Sequence, residues 1–132
     1  MRLSPSLFFT TNCEPALDFY EAIGLGKKTV VMRHGDNQMP VRTEAMRGKI
    51  MHANFEGPGV YLTASDNDDA EPMKGAALLL ELNDTARGRK LFDQLAEGGM
   101  VRVAYGRQPW GADFGNLTDR FGVQWMINCQ IG

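Results

Sequence analysis

The chain has 132 residues, enough for one domain with a sizeable hydrophobic core. Hydrophobic residues make up 43% and charged residues 23%, and the net charge of −2, with basic residues scattered, leaves no electrostatic footprint for nucleic acid. No window approaches a membrane span, and "MRLSPSLFFTTN" breaks with Pro5 and polar residues the apolar run of a signal peptide. Its two cysteines, Cys13 and Cys129, form no metal or disulfide spacing pattern, so the expected setting is cytoplasmic with reduced thiols.

After a first strand in "SPSLFFTT", Asn12 can cap a helix whose first turn tolerates Pro15, because an N–H there has no intrahelical partner anyway. Cys13, Ala16, Leu17, Tyr20 and Ile23 recur at helical spacing, and Gly24 ends the helix. "KTVVMR" reads as a strand. The polar stretch 34–48 that follows is long enough for a lid, a partner contact or a mobile loop. "KIMHANF", the turn "EGPG" and "VYLTAS" form a hairpin by their turn chemistry.

The same order then repeats. "AALLLEL" is a strand, and Asn83-Asp84 begins a helix that carries Leu91, Phe92 and Leu95 inward and ends at Gly98-Gly99. "MVRVAY" is a strand, and a last hairpin turns at "DRFG". One domain over 1–132 thus contains two βαβββ modules, about 1–66 and 75–131. An acidic connector, "DNDDAEPMKG", joins them across about 67–74. "DNDDAE" lacks the glycine that a calcium loop needs at its bend and reads as a solvated linker.

The expected fold is α+β, with each helix on the convex face of a cupped mixed sheet and the other face free to line a cavity. Laying Gly59 on Gly122 pairs "VYLTAS" with "VQWMIN". Parity then sends Val123, Trp125, Ile127 and Cys129 to the helices, and Gln124, Met126 and Asn128 to the cup. In the matched strand Tyr61, Thr63 and Ser65 face the cup, with Val60, Leu62 and Ala64 behind them. Laying cap on cap, Asn12 on Asp84, pairs Pro5, Leu7 and Phe9 with Ala77, Leu79 and Glu81, and so places Phe9 and Glu81 on the cup side. His52 falls in with Ile50 and Asn54, also facing the cup, if Met51, Ala53 and Phe55 face the helices.

This doubled plan resembles the glyoxalase/bleomycin-resistance (vicinal oxygen chelate) superfamily. "LFFTTNCEPALDFYEAI", "KIMHANFE", "VYLTASD" and "WGADFGNLTDRFGVQWMINC" are similar to its PhnB-like branch, with Arg120 where that branch usually has proline. The resemblance implies a homodimer whose ligand cavities are completed between chains. In the superfamily's metalloenzymes a divalent ion is held by one side chain from the first and last strand of each half. The corresponding positions here are Pro5, Ala77, Thr63 and Met126, which offer no imidazole or carboxylate, so the expectation is no metal and no cofactor.

Among residues that could carry chemistry, His52 reads either as an acid–base or hydrogen-bonding group titrating near neutrality, or as a structural histidine. Glu81 would act as a base if buried and would be merely solvated at a sheet rim. Trp110 could stack on a flat ligand or close the core. His34 belongs to the polar loop and is expected to be exposed. Cys13 sits at a helix start, which favours a thiolate, but has no base beside it, so packing is its expected role. The candidate ligand-binding set is Phe9, His52, Asn54, Tyr61, Thr63, Trp110, Gln124 and Met126, with His52 and Glu81 as catalytic candidates. Three functions compete: a small-molecule-binding protein, a metal-independent isomerase or lyase using His52 or Glu81, and a non-catalytic structural or interaction module. A methyltransferase is disfavoured, since no Gly-rich strand-to-helix turn of the nucleotide-binding kind occurs. The expected ligand is a small molecule of unknown identity.

Overall fold

The computed structural model describes residues 1–130. They form two compact units, the first Met1–Pro72 and the second beginning at Met73. The first contains β1 (Ser6–Phe9), α1 (Cys13–Ala22), β2 (Lys27–Arg33), β3 (Ile50–Gly57) and β4 (Val60–Asp66). The second contains β5 (Leu78–Leu82), α2 (Thr85–Ala96), β6 (Met100–Arg107), β7 (Ala112–Thr118) and β8 (Gln124–Gln130). Each unit is a four-stranded mixed sheet, ordered β1-β4-β3-β2 in the first and β5-β8-β7-β6 in the second, with β1 parallel to β4 and β5 parallel to β8.

In the first unit Cys13, Ala16, Leu17 and Tyr20 of α1 are buried, as are Leu7, Ala53, Phe55, Leu62 and Ala64 of the strands. Tyr20 meets Phe55 edge-on at 6.3 Å, a favoured arrangement of ring quadrupoles. Asn12 occupies the N-cap position without making a side-chain cap bond. The cap comes instead from the end of β4, where Asp66 Oδ1 accepts from Cys13 N at 2.9 Å. The other oxygen of that buried carboxylate accepts from Ile50 N at 3.3 Å, tying the helix start to the head of β3.

The stretch 34–48 is tied at its base and carries two single 3₁₀ turns, Asp36–Gln38 and Glu44–Met46, with Met46 buried. His34 N and Gly35 N donate to the carbonyls of Lys49 and Arg47. Arg33 adds a forked pair to Glu14 at 3.0 and 2.8 Å. His34 is half-buried, and its Nε2 donates to the Asp66 carbonyl at 2.8 Å, which corrects its expected exposure.

In the second unit Asp84 caps α2 through Arg87 N at 3.1 Å, and Leu91, Phe92 and Leu95 are buried. Gly88, also on the buried side, is needed for close packing: a Cβ there would stand 2.5 Å from the Tyr105 hydroxyl. Burial pushes the Tyr105 phenol up to about 12. The turn before β8 is organised by Asp119, whose Oδ1 accepts from Phe121 N and Val123 N, both at 2.9 Å. Its Oδ2 accepts from Trp125 Nε1 at 2.9 Å, and Gly122 supplies the positive φ of +89° that the turn requires. Trp125, Ile127 and Cys129 are buried, and Gln124, Met126 and Asn128 are half-buried on the opposite face, so β8 alternates as expected.

Candidate functional site

Each sheet has one face turned away from its helix, and nearly all the candidate residues stand on those faces. In the first unit, pairing across the strands sets Ser6, Thr63, Asn54 and Val30 in one row. Met32 lies opposite His52, and Tyr61 opposite Glu56. These side chains bond to one another. Thr63 Oγ1 donates to Ser6 Oγ at 2.7 Å, and Thr29 Oγ1 to Glu56 Oε2 at 2.5 Å. The Arg2 guanidinium covers the Tyr61 ring at 3.7 Å, within the range of a cation–π contact. His52 Nε2 lies 2.7 Å from Asn54 Oδ1. An amide oxygen can only accept, so this nitrogen is the donor, and in the neutral ring Nδ1 is the acceptor.

In the second unit, Glu81 lies opposite Asn128, and Asn128 opposite Phe114. The next row is Leu79, Met126, Asn116 and Val103, and Gln124 faces Thr118 beyond it. Trp110, on the β6–β7 turn, is 61% exposed and meets Phe114 edge-on at 5.7 Å, so it does not close the core. Asn116 Oδ1 is buried and accepts no hydrogen bond among the described residues. His52 and Glu81 belong to different units.

Face assignments on two strands are corrected. Phe9, expected on the open face, is 4% exposed and lies opposite Asp66 on the helix side; Phe8, 54% exposed, takes the open position opposite Ser65. The cause is loop length. Two residues, Thr10 and Thr11, separate β1 from the cap position of α1, whereas Asn83 alone separates β5 from Asp84. Aligning the caps therefore slips β1 by one residue, and one residue exchanges the faces of a strand. Ile50, expected beside His52, is fully buried, and Met51, expected on the helix side with Ala53 and Phe55, is exposed, because the pairing jumps from Met32–His52 to Arg33–Ile50 and the bulged Met51 resets the parity.

Cys13 is fully buried, and its thiol is pushed up to about 12, first by burial and then by the nearby Asp66 and Glu14 carboxylates, so it is not a poised nucleophile. The superfamily's metal positions do not fit an ion. Pro5 and Ala77 have no side-chain donor, and the slip that turns Phe9 inward takes Pro5 off the open face with it, leaving Ser6 opposite Thr63; Met126 has a thioether, and the Thr63 hydroxyl is engaged with Ser6. Among the described residues no group of three or more His, Cys, Asp or Glu side chains is placed to hold a metal. Phe8, Phe114 and Asn116 were missed as open-face residues, and cross-strand register is the signal that reveals them.

The architecture is the glyoxalase/bleomycin-resistance fold. It is shared with the bleomycin resistance determinant encoded on transposon Tn5, which is 15% identical, with 98% of each chain covered and a TM-score of 0.60. The family model described as 3-demethylubiquinone-9 3-methyltransferase matches residues 1–128, and the chain belongs to that PhnB-like family. It is similar to protein PA1353 from Pseudomonas aeruginosa, at 37% identity and a TM-score of 0.87 over 100% of this chain and 99% of that one. It is also 30% identical to protein YjdN of Escherichia coli (strain K12), over 97% of this chain and 95% of that protein.

Proposed function

We propose that the chain is a small-molecule-binding protein of the glyoxalase/bleomycin-resistance type that works without the metal of the superfamily's metalloenzymes. The observation that carries this reading is the chemistry of the faces turned away from the helices. Half-buried amides, hydroxyls and aromatic rings stand there in register, where a sheet with no ligand would need only a solvated polar surface. Tyr61, Thr63, His52 and Asn54 on one sheet, and Gln124, Met126 and Trp110 on the other, are the proposed ligand contacts. The methyltransferase description of the family is not carried over, since the strand-to-helix turns Thr10-Thr11-Asn12 and Asn83-Asp84 have no glycine to admit a nucleotide phosphate or adenosyl group closely.

Native mass spectrometry of the purified protein, followed by thermal-shift screening of a metabolite library, tests the proposal. A ligand at a hundred times its Kd stabilises by about 2.7 kcal/mol, a shift of several degrees. The expected result is such a ligand, with the shift reduced by Tyr61→Ala or Trp110→Ala. A library that leaves the melting temperature unmoved, or a shift indifferent to both variants, overturns the reading. The free Nδ1 of His52, with Nε2 held by Asn54, favours one second reading: an oriented general base in a metal-independent isomerase or lyase.

A homodimer is part of the same proposal. The edge strands β2 and β6 expose Val30, Val31, Met32, Met100, Val101 and Val103, and apolar edges of this kind are normally covered by a partner. Sedimentation velocity at micromolar concentration should show a dimer, and a monomer under those conditions would remove this part. Buried, reduced Cys13 and Cys129 fit a cytoplasmic setting. Among the described residues no helix is long and apolar enough to cross a membrane.

A further inference from the structure

The second sheet narrows the class of ligand. On β5, β8 and β7 the side chains in register on the face away from α2 include one charge, the Glu81 carboxylate. It is exposed and has no ion-pair or hydrogen-bond partner among the described residues. The row it begins runs through the Asn128 amide to Phe114, and the Trp110 ring stands edge-on against Phe114. Beside that row lie Leu79, 46% exposed, and Met126, an apolar strip with no hydrogen-bonding function beyond the thioether. Arg102 stands on β6 at the opposite edge of the sheet, three strand spacings or about 14 Å to the side of Glu81 and further along the strands than the Glu81 row.

From this arrangement we infer that the ligand is an organic ammonium ion carrying an aromatic ring, laid across the strands with its charge at Glu81 and its ring against Trp110 and Phe114. The inference rests on the small-molecule-binding reading above and adds the ligand's charge and shape. Two strand spacings separate Glu81 from Phe114, about 10 Å between backbones, which sets the distance between cation and ring. A carboxylate accepts from an ammonium, and an exposed tryptophan face takes up a ring or a cation. The apolar strip favours a hydrocarbon spacer, and the Asn128 amide, midway along the row, can bond a polar atom in that spacer. An anionic ligand would meet Glu81 with no cation on its own or the adjacent strand to offset it.

Calorimetric titration with ω-phenylalkylammonium ions of increasing chain length, beside the matching alcohols and carboxylates, tests the assignment on the intact chain. Ammonium ions should bind best, with an optimum at intermediate length and an affinity that falls with added salt. Glu81→Gln should weaken the ammonium about fivefold, the worth of an exposed ion pair, and leave the alcohol unchanged. Trp110→Ala should weaken both; because Trp110 is exposed, this variant is expected to fold. Alcohol and ammonium binding alike, or ammonium binding indifferent to Glu81→Gln, overturns the inference. Carboxylates binding best with dependence on Trp110 also overturns it, yet leaves small-molecule binding standing. Failure of every probe and of the metabolite library removes both. If Trp110→Ala dissociates a dimer, the occupant of this row is a second copy of the chain and the inference falls.

Discussion

Trp125→Ala is expected to cost about 3–5 kcal/mol of folding stability, while Met126→Gln, one residue further, should cost less than about 1 kcal/mol. Trp125 is 3% exposed, so its removal empties a large site in the packed core of the second unit. It also takes away the indole N–H that occupies Asp119 Oδ2, leaving one oxygen of a buried carboxylate without that donor while Oδ1 keeps Phe121 N and Val123 N. Loss of that hydrogen bond adds to the cavity term. Met126 stands half-buried on the opposite face, where glutamine has similar length and its amide can reach water or neighbouring amides. Trp125→Phe should fall between, keeping most of the packing and losing the hydrogen bond. Urea denaturation followed by far-ultraviolet circular dichroism measures all three. A Met126→Gln variant more damaged than Trp125→Ala would mean that β8 presents the other face to its helix.

The pattern of strands and helices was legible because each rests on local rules: period-two alternation in β4 and β8, helical spacing in α1 and α2, and glycine at the turns. What stayed hidden depends on comparing distant parts of the chain. The face of β1 turned on the one extra loop residue before α1, which cap alignment conceals and pairing with β4 discloses. The burial of Ile50 turned on a bulge that exists only because β2 and β3 pair out of step there. Asp66 and Asp119 show the two cases side by side. Asp119 lies within four residues of the backbone donors it holds, and its place in the turn could be read from "DRFG". Asp66 holds a backbone donor 53 residues away, and nothing near it in the chain advertises that role. For the candidate site the same division holds. Tyr61, Thr63, Gln124 and Met126 follow from alternation, whereas the row from Glu81 through Asn128 to Phe114 requires register between three strands.

That contrast makes Asp66 the site of the second large effect. Asp66→Ala should destabilise the chain by about 3–5 kcal/mol, because it strips the acceptor from two backbone N–H groups, Cys13 and Ile50, at a position 1% exposed. The first turn of α1 would lose the side-chain acceptor of its leading N–H, the only one among the described residues, at the end of the helix where partial positive charge gathers. Asn12→Ala should cost less than about 0.5 kcal/mol, although asparagine is a favoured cap and stands in the cap position, because its side chain makes no bond to the helix. Asp66→Asn should be intermediate: its amide oxygen can still accept from Cys13 N, but the NH₂ group that replaces the second oxygen faces the Ile50 N–H, donor against donor. Amide hydrogen exchange separates local from global loss. In Asp66→Ala protection should fall first at Cys13 and Ile50, whereas Asn12→Ala should leave both unchanged. Equal costs for Asn12→Ala and Asp66→Ala would instead place the helix start under its local cap and make the long-range carboxylate dispensable.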